Sequence, residues 1–299
     1  MRTDKISIII PAKNEAGGLE KLLPAIQALN IADEILVIND GSTDDTVDIV
    51  SKHGAKAISH PYSMGNGAAI KTGARHASGS IIIFMDADGQ HDPKYIPVLL
   101  ETLTKGYDMA VGARGRKSQA SIGRLLANSI YNLTASYMTG QKIKDLTSGF
   151  RAVHADKFRL FLNLLPNGFS YPTTITMAFF RSGYSVAYTN IEAPRREGKS
   201  HISPLKDSIR FIMVIFKVGS LYSPLKIFFP ISLIFFLSGL SYYLFTFITV
   251  NRFTNMSALL LTTSVIVFLI GLVSEQITQL LYLDLKNPEK SKHESSTEG

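Results

Sequence analysis

Short apolar, β-branched runs punctuate the first part of the chain at Ile6–Ile10, Ile35–Ile38, Ile81–Met85 and Met109–Val111. Helix-like stretches such as Ala16–Leu29 and Pro93–Leu103 lie between them. Strand-length runs alternating with helix-length segments predict an α/β domain, a mostly parallel central sheet covered by helices, over residues 1–202. Ligands of such sheets bind beyond the carboxyl ends of the strands. The residues following each run therefore form one surface, and they are polar: Pro11–Glu15, Asn39–Asp45, Asp86–Gln90 and Arg114.

The pattern changes near the C-terminus. Ile227–Val250 is 24 residues without a formal charge and Phe253–Ser274 is another 22. At about 1.5 Å per residue each can cross a hydrocarbon layer about 30 Å thick, so two transmembrane helices are expected within 223–283, at about 226–250 and 256–281. Lys199, Lys206, Arg210, Lys217 and Lys226 precede the first span and Lys286, Lys290 and Lys292 follow the second, whereas Arg252 alone lies in the turn. By the positive-inside rule an integral membrane protein is expected, with the domain over 1–202 and both termini in the cytosol. Lys206, Arg210 and Lys217 stripe an otherwise apolar segment, which predicts an amphipathic helix over 203–222 lying in the bilayer interface. The polar tail, 284–299, reads as disordered.

Composition narrows the chemistry. The net charge of +7 suits anionic partners, and the absence of cysteine excludes disulfides, thiolate metal sites and thiol nucleophiles. Asp86-Ala87-Asp88 follows the most apolar run and brings two carboxylates to the ligand surface, a donor type preferred by Mg²⁺ or Mn²⁺, with Gln90 near enough to add an amide oxygen. Such a cation would offset the diphosphate of a nucleotide leaving group. Pro11-Ala12-Lys13-Asn14-Glu15 and Asn39-Asp40-Gly41-Ser42 offer amide, carboxylate and backbone groups for a nucleotide. Met64-Gly65-Asn66-Gly67 opens a helix whose first N–H groups suit an anion. His91 reads as a structural hydrogen-bond partner of the carboxylate loop.

Taken in order, Ile-Ile-Pro-Ala-Lys-Asn-Glu (9–15), Asn-Asp-Gly-Ser-Thr-Asp (39–44), Asp-Ala-Asp-Gly-Gln-His-Asp-Pro (86–93), Gly112-Ala113-Arg114, Ser148-Gly149-Phe150-Arg151, Arg195-x-x-Gly198-x-Ser200 and Ser-Pro-Leu-Lys (223–226) resemble glycosyltransferase family 2, and within it the polyprenyl-phosphate glycosyltransferases related to dolichol-phosphate mannose synthase. The resemblance implies the GT-A fold and metal-dependent, inverting transfer of a sugar from a UDP- or GDP-linked donor to a polyprenyl phosphate of undecaprenyl or dolichyl type. It implies Asp86, Asp88 and Gln90 as metal ligands. Pro11, Lys13, Glu15, Asn39, Asp40, Asp86, Ala87, Asp88, Arg195 and His201 would bind the nucleotide-sugar, and Arg114, Ser148 and Arg151 the acceptor phosphate. Catalytic roles fall to Asp88, Arg114 and Asp145, the last in the place of the family's base. Because a phosphate monoester is largely deprotonated near neutrality, Asp145 is expected to position more than to remove a proton. Asn39 stands where many relatives have the first Asp of an Asp-Asp-Gly-Ser run, which leaves the base open, and Asn128 and His201 stand where mannose synthases often carry Arg and Lys, which ranks a UDP-sugar ahead. The other readings are a membrane-tethered family 2 enzyme with another acceptor and a non-catalytic nucleotide-sugar-binding scaffold. The expected partners are the donor, the lipid phosphate and the bilayer, with no nucleic acid; a homo-oligomer stays open.

Overall fold

The computed structural model describes residues 4–115, 122–168, 171–192 and 219–286. The chain forms two compact units, Met1–Asp207 and Ser208–Gly299. Among the described residues the first unit holds β1 (Ile6–Ala12), β2 (Glu34–Asn39), β3 (Lys56–Ser59), β4 (Ile81–Phe84), β5 (Met109–Arg114), β6 (Arg151–His154) and β7 (Val186–Ile191). They make one sheet in the order β3-β2-β1-β4-β6-β5-β7. Its helices are α1 (Ala16–Ala28), α2 (Thr46–Lys52), α3 (Asn66–His76), α4 (Ile96–Thr104), α5 (Ile122–Thr139), α6 (Ala155–Arg159) and α7 (Tyr171–Arg181).

The predicted runs correspond to β1, β2, β4 and β5. Successive residues of β1 and β4 are buried on both faces of the sheet, as covered parallel strands require. Ile6, Ile8, Ile10, Ile81, Ile83 and Met85 join Leu19, Leu22, Leu23 and Ile26 of α1 in one core. On the opposite face α3 lies so close that a Cβ on Gly73 would stand 2.4 Å from the Ile9 side chain. Each such fully buried isoleucine contributes about 1.5–3 kcal/mol. Pro11 is tolerated inside the sheet because β4 ends at Phe84, paired with Ile9, so no ladder on that side needs an N–H from Pro11.

One strand breaks the parallel order. β6 runs antiparallel to both β4 and β5, pairing Phe84 with Arg151 and Val111 with Arg151. An antiparallel strand begins where its parallel neighbours end. The segment leading into β6, residues 145–150, is thereby delivered to the carboxyl edge of the sheet, between the ends of β4 and β5.

In the second unit α8 (Pro224–Val250) and α9 (Asn255–Lys286) are long and apolar enough to cross a membrane. The helix continues to Lys286, so residues 284–286, expected in the tail, are helical; residues 287–299 of that tail and 203–218 of the expected interfacial helix lie outside the described residues, while 219–222 are helical. The two helices meet along small residues spaced by seven. Between Pro224 and Tyr282, themselves buried, the buried positions among the described residues are Ser232, Gly239 and Thr246 of α8 and Ser257, Ser264, Gly271 and Thr278 of α9, surrounded by exposed Leu, Ile, Val and Phe. Without an apolar-to-water gradient, helices in lipid associate through close packing and hydrogen bonds, both of which small residues permit. Ser232 donates to the Ser264 carbonyl at 3.0 Å. A Cβ on Gly271 would lie 2.6 Å from the Phe228 Cβ. Gly271→Ala is therefore expected to destabilise the hairpin by about 1–3 kcal/mol, the usual cost of overpacking, read as a lower melting temperature in detergent. Ile248→Ala, at an 80 % exposed position, is the control; equal melting of the two variants would contradict the seam.

Candidate active site

The strand ends β1 and β2 are stitched together by their loops. The Asn14 N–H donates to Ser42 Oγ at 2.9 Å and the Thr43 N–H to Asn14 Oδ1 at 2.8 Å. Asn14 adopts φ of 55°, a left-handed conformation that asparagine tolerates better than most residues. The Glu15 N–H donates to Thr46 Oγ1 at 3.2 Å and the Ala16 N–H, at the start of α1, to Asp44 Oδ2 at 3.3 Å. Pro11 and Glu15 are half-buried beside this seam, and exposed Lys13 reaches across to donate to Ser63 Oγ at 3.0 Å.

Asn39 and Asp40 are buried and occupied with the protein itself. The Ser42 N–H donates to Asn39 Oδ1 at 2.8 Å, and Asn39 Nδ2 donates to Ser59 Oγ at 3.1 Å. Asp40 accepts from His60 Nδ1 at 2.8 Å, Ser63 Oγ at 2.8 Å, the Met64 N–H at 2.7 Å and the Gly65 N–H at 2.9 Å. Burial pushes the Asp40 carboxyl up, but these donors outweigh it and hold it below the ordinary value. Both residues, expected as nucleotide contacts, thus hold the strand-end loops together; their side chains are committed because an unpaired buried amide or carboxylate would be costly. The start of α3 is likewise closed to an anion. The Gly67 N–H donates to the Gly168 carbonyl at 3.2 Å and the Ala68 N–H to the Asn167 carbonyl at 2.9 Å.

Beyond β4, Asp86 and Asp88 are half-buried on a loop held from behind. The Asp86 N–H donates to His91 Nδ1 at 2.9 Å, which leaves the ring proton on Nε2. His91 stacks on Phe150 at 5.0 Å. Burial, with the charges of Arg114 and Arg151, pushes His91 down to about 4 against the pull of Asp88 and Asp145. The ring is a neutral support for the loop. Gly18 allows the Ala87 carbonyl to approach α1, where a Cβ would stand 2.2 Å away, and Gly149 leaves room for the Asp86 carboxylate, 2.8 Å from where its Cβ would be. Ala87 itself is buried, so its expected contact with the nucleotide is not made by its side chain. Two half-buried carboxylates with Gln90 on the same loop are oxygen donors of the kind a hard divalent cation takes. Such a donor set leaves coordination positions for water and phosphate oxygens.

Arg114 ends β5 and is clamped. Its Nε donates to Asp145 Oδ2 at 2.8 Å, its Nη2 to Asp145 Oδ1 at 3.1 Å and to Thr147 Oγ1 at 2.6 Å, and its own N–H to Asp145 Oδ2 at 3.2 Å. Asp145 also accepts from the Thr147 N–H and hydroxyl, each at 3.1 Å. Burial raises the Asp145 carboxyl, yet the Arg114 hydrogen bonds and charge prevail and keep it ionised below its ordinary value. For Arg114 burial works against the charge, and Asp145, with smaller help from Asp86 and Asp88, more than restores it. The Arg114 side chain keeps 25 % of its surface exposed, whereas Asp145 keeps 8 %.

Ser148 and Arg151, expected on the acceptor phosphate, are both fully buried. The Ser148 hydroxyl donates to the Gly112 carbonyl at 2.6 Å. The Arg151 guanidinium turns inward, donating to the Ser148 carbonyl, to the Pro172 carbonyl at 3.3 Å and to Thr176 Oγ1 at 3.2 Å, with the Tyr171 ring 5.7 Å away. The reason is register: in β6 its position pairs with Phe84 and Val111, inside the sheet. Arg151 holds the 145–150 segment from beneath rather than meeting a ligand. Arg195 and His201 lie outside the described residues. Thr147 and Gly149 were missed as site residues; their signal was only their place in Asp145-Leu-Thr-Ser-Gly.

The model of the family described as Glycosyl transferase family 2 matches residues 7–161, and that of the GtrB C-terminal hairpin matches 223–280. The undecaprenyl-phosphate 4-deoxy-4-formamido-L-arabinose transferase of Salmonella choleraesuis (strain SC-B67) is 37% identical over 158 residues, 50% of this chain; the chain spans 48% of that relative's length. The CsbB protein of Bacillus subtilis (strain 168) is 28% identical over 306 residues, covering 96% of this chain and 91% of that one. Among solved structures, glucosyl-3-phosphoglycerate synthase from Mycobacterium tuberculosis, with Mn²⁺ and UDP-glucose, superposes with a TM-score of 0.56 at 24% identity over 73% of this chain and 79% of that one. At that identity the likeness speaks for the GT-A fold alone. With more than half of its residues matched by the family model, the chain belongs to glycosyl transferase family 2.

Proposed function

We propose that the chain transfers a sugar from a nucleotide-sugar to a polyprenyl phosphate at a membrane surface, with inversion at the anomeric carbon. The observation that carries this reading is the clamped Arg114 on the same sheet edge as the Asp86–Asp88 loop: one cation for an incoming anion beside a carboxylate pair for the outgoing one. The matched hairpin and the printed name of the Salmonella relative support a lipid-linked phosphate as acceptor. The basic residues on the 226 and 286 sides of the hairpin support a cytosolic domain and cytosolic termini.

Asp86, Asp88 and Gln90 would hold a Mg²⁺ or Mn²⁺ ion, which when bound supplies Lewis-acid stabilisation of the nucleoside diphosphate. Arg114 binds the acceptor phosphate and offsets the repulsion between two anionic reactants. One phosphate oxygen then forms a bond to the anomeric carbon while the bond to the nucleoside diphosphate oxygen breaks on the opposite face. Asp145, ionised and saturated with donors, orients Arg114 and takes no proton. Positioning of this kind is the dominant contribution when nucleophile and leaving group are already charged. The wall built by Asn39, Asp40 and Lys13 receives the nucleotide, a UDP-sugar ahead of a GDP-sugar.

Stripping divalent ions is expected to abolish transfer from a labelled nucleotide-sugar to undecaprenyl phosphate, with Mn²⁺ or Mg²⁺ restoring it; Asp88→Ala should lose about a hundredfold or more. Product formed at full rate in excess EDTA sinks the metal-assisted reading. Asp145→Asn is expected to lower turnover about a hundredfold by loosening Arg114. In both proteins activity should rise through the acceptor's second ionisation, about pH 6. If the Asn variant instead regained wild-type rates as pH increased, Asp145 would be a base.

A further inference from the structure

A solvent-facing helix ordinarily carries charges on its outer face. α5 has a single charged residue, Arg124 in its first turn, and residues 125–141 contain no Asp, Glu, Lys or Arg. Its inner face is formed by Tyr131, Ala135 and Met138, all buried. Its outer face presents Ile130, Leu133 and Tyr137, which are 52%, 71% and 58% exposed. The spacing of three and four keeps them on one stripe of the helix. Just beyond its end stand exposed Lys142 and Lys144, with buried Ile143 between them.

We propose that this face of α5 is a second membrane contact, in which Ile130, Leu133 and Tyr137 enter the interfacial zone of an anionic bilayer while Lys142 and Lys144 meet lipid phosphates. The same chain carries two helices able to cross a membrane, so a bilayer is tethered to the unit that bears α5. Apolar side chains backed by lysines, with no acidic residue on the helix, match the chemistry of an anionic lipid surface.

The contact is tied to the acceptor site by hydrogen bonds. Asn132 Nδ2 donates to the Lys144 carbonyl at 2.8 Å, the Leu146 N–H donates to Asn132 Oδ1 at 3.0 Å, and the Ile143 N–H donates to Ser136 Oγ at 3.0 Å. These bonds fasten α5 to the segment whose next residues, Asp145 and Thr147, hold Arg114. A helix seated in the headgroup layer brings that arginine to the level of a lipid phosphate.

The chain has no cysteine, so single nitroxide labels can be introduced at Ile130→Cys, Leu133→Cys, Tyr137→Cys and, as a control on α4, Val98→Cys, in the full-length protein in phosphatidylethanolamine–phosphatidylglycerol nanodiscs. The α5 labels are expected to be relaxed strongly by oxygen and weakly by a water-soluble nickel chelate, the control the reverse. Nickel accessibility on α5 equal to the control overturns the proposal, as does dipolar broadening between α5 labels, which would put a second copy on this face. These spectra need no turnover and so stand apart from the polyprenyl-phosphate reading. Leu133→Asp should further lower kcat/KM for long-chain acceptor in bilayers about tenfold, the scale of losing one buried apolar side chain, and spare a short water-soluble acceptor. Equal loss on both acceptors counts against the membrane contact.

Discussion

The bidentate pair between Arg114 and Asp145 is the contact around which the catalytic edge is organised. A guanidinium at a strand end would otherwise sweep a wide volume, and its planar fork gives it one geometry when matched by a carboxylate. Asp145 is nearly buried and filled with donors from Arg114 and Thr147, so the pair is fixed on one side and open on the other. Breaking such a pair from one side costs about 3–5 kcal/mol because a charge is left stranded. The arrangement is rigid where it meets the protein and reactive where it meets solvent.

That pair exists only because β6 is antiparallel. A purely parallel sheet would carry the 145–150 segment to its far edge; insertion of β6 between β4 and β5 returns it to the edge that bears Asp86 and Asp88. Arg151, buried beneath, ties that segment to α7 through Pro172 and Thr176. Gly149 allows the segment to lie against the Asp86 carboxylate. The clamped arginine and the buried arginine beside the carboxylate loop are thus consequences of one strand direction.

The hairpin obeys a different solvent. Its outward surface is apolar and its seam is made of Ser, Gly and Thr every seventh residue, the reverse of a soluble helical pair, because in lipid the apolar side chains gain nothing by mutual burial. The Glu275 carboxylate accepts from the Leu225 N–H at 3.3 Å, satisfying an orphan donor at the start of α8.

The sequence by itself determined the parallel core, the ligand edge and the two apolar spans, since strand burial, strand-end polarity and charge-free length are local patterns readable from consecutive residues. Strand-end position put Asp86, Asp88 and Arg114 at one edge, while Asp145 entered only through the family resemblance. β3, β6 and β7 were not among the predicted runs; each mixes polar with apolar residues, and strand direction leaves no local trace. Tertiary structure alone decided that Asn39 and Asp40 face their own loops and that Ser148 and Arg151 point inward. Side-chain orientation follows from register and from which donors the fold brings within hydrogen-bonding reach, and both are set by residues far away in the chain.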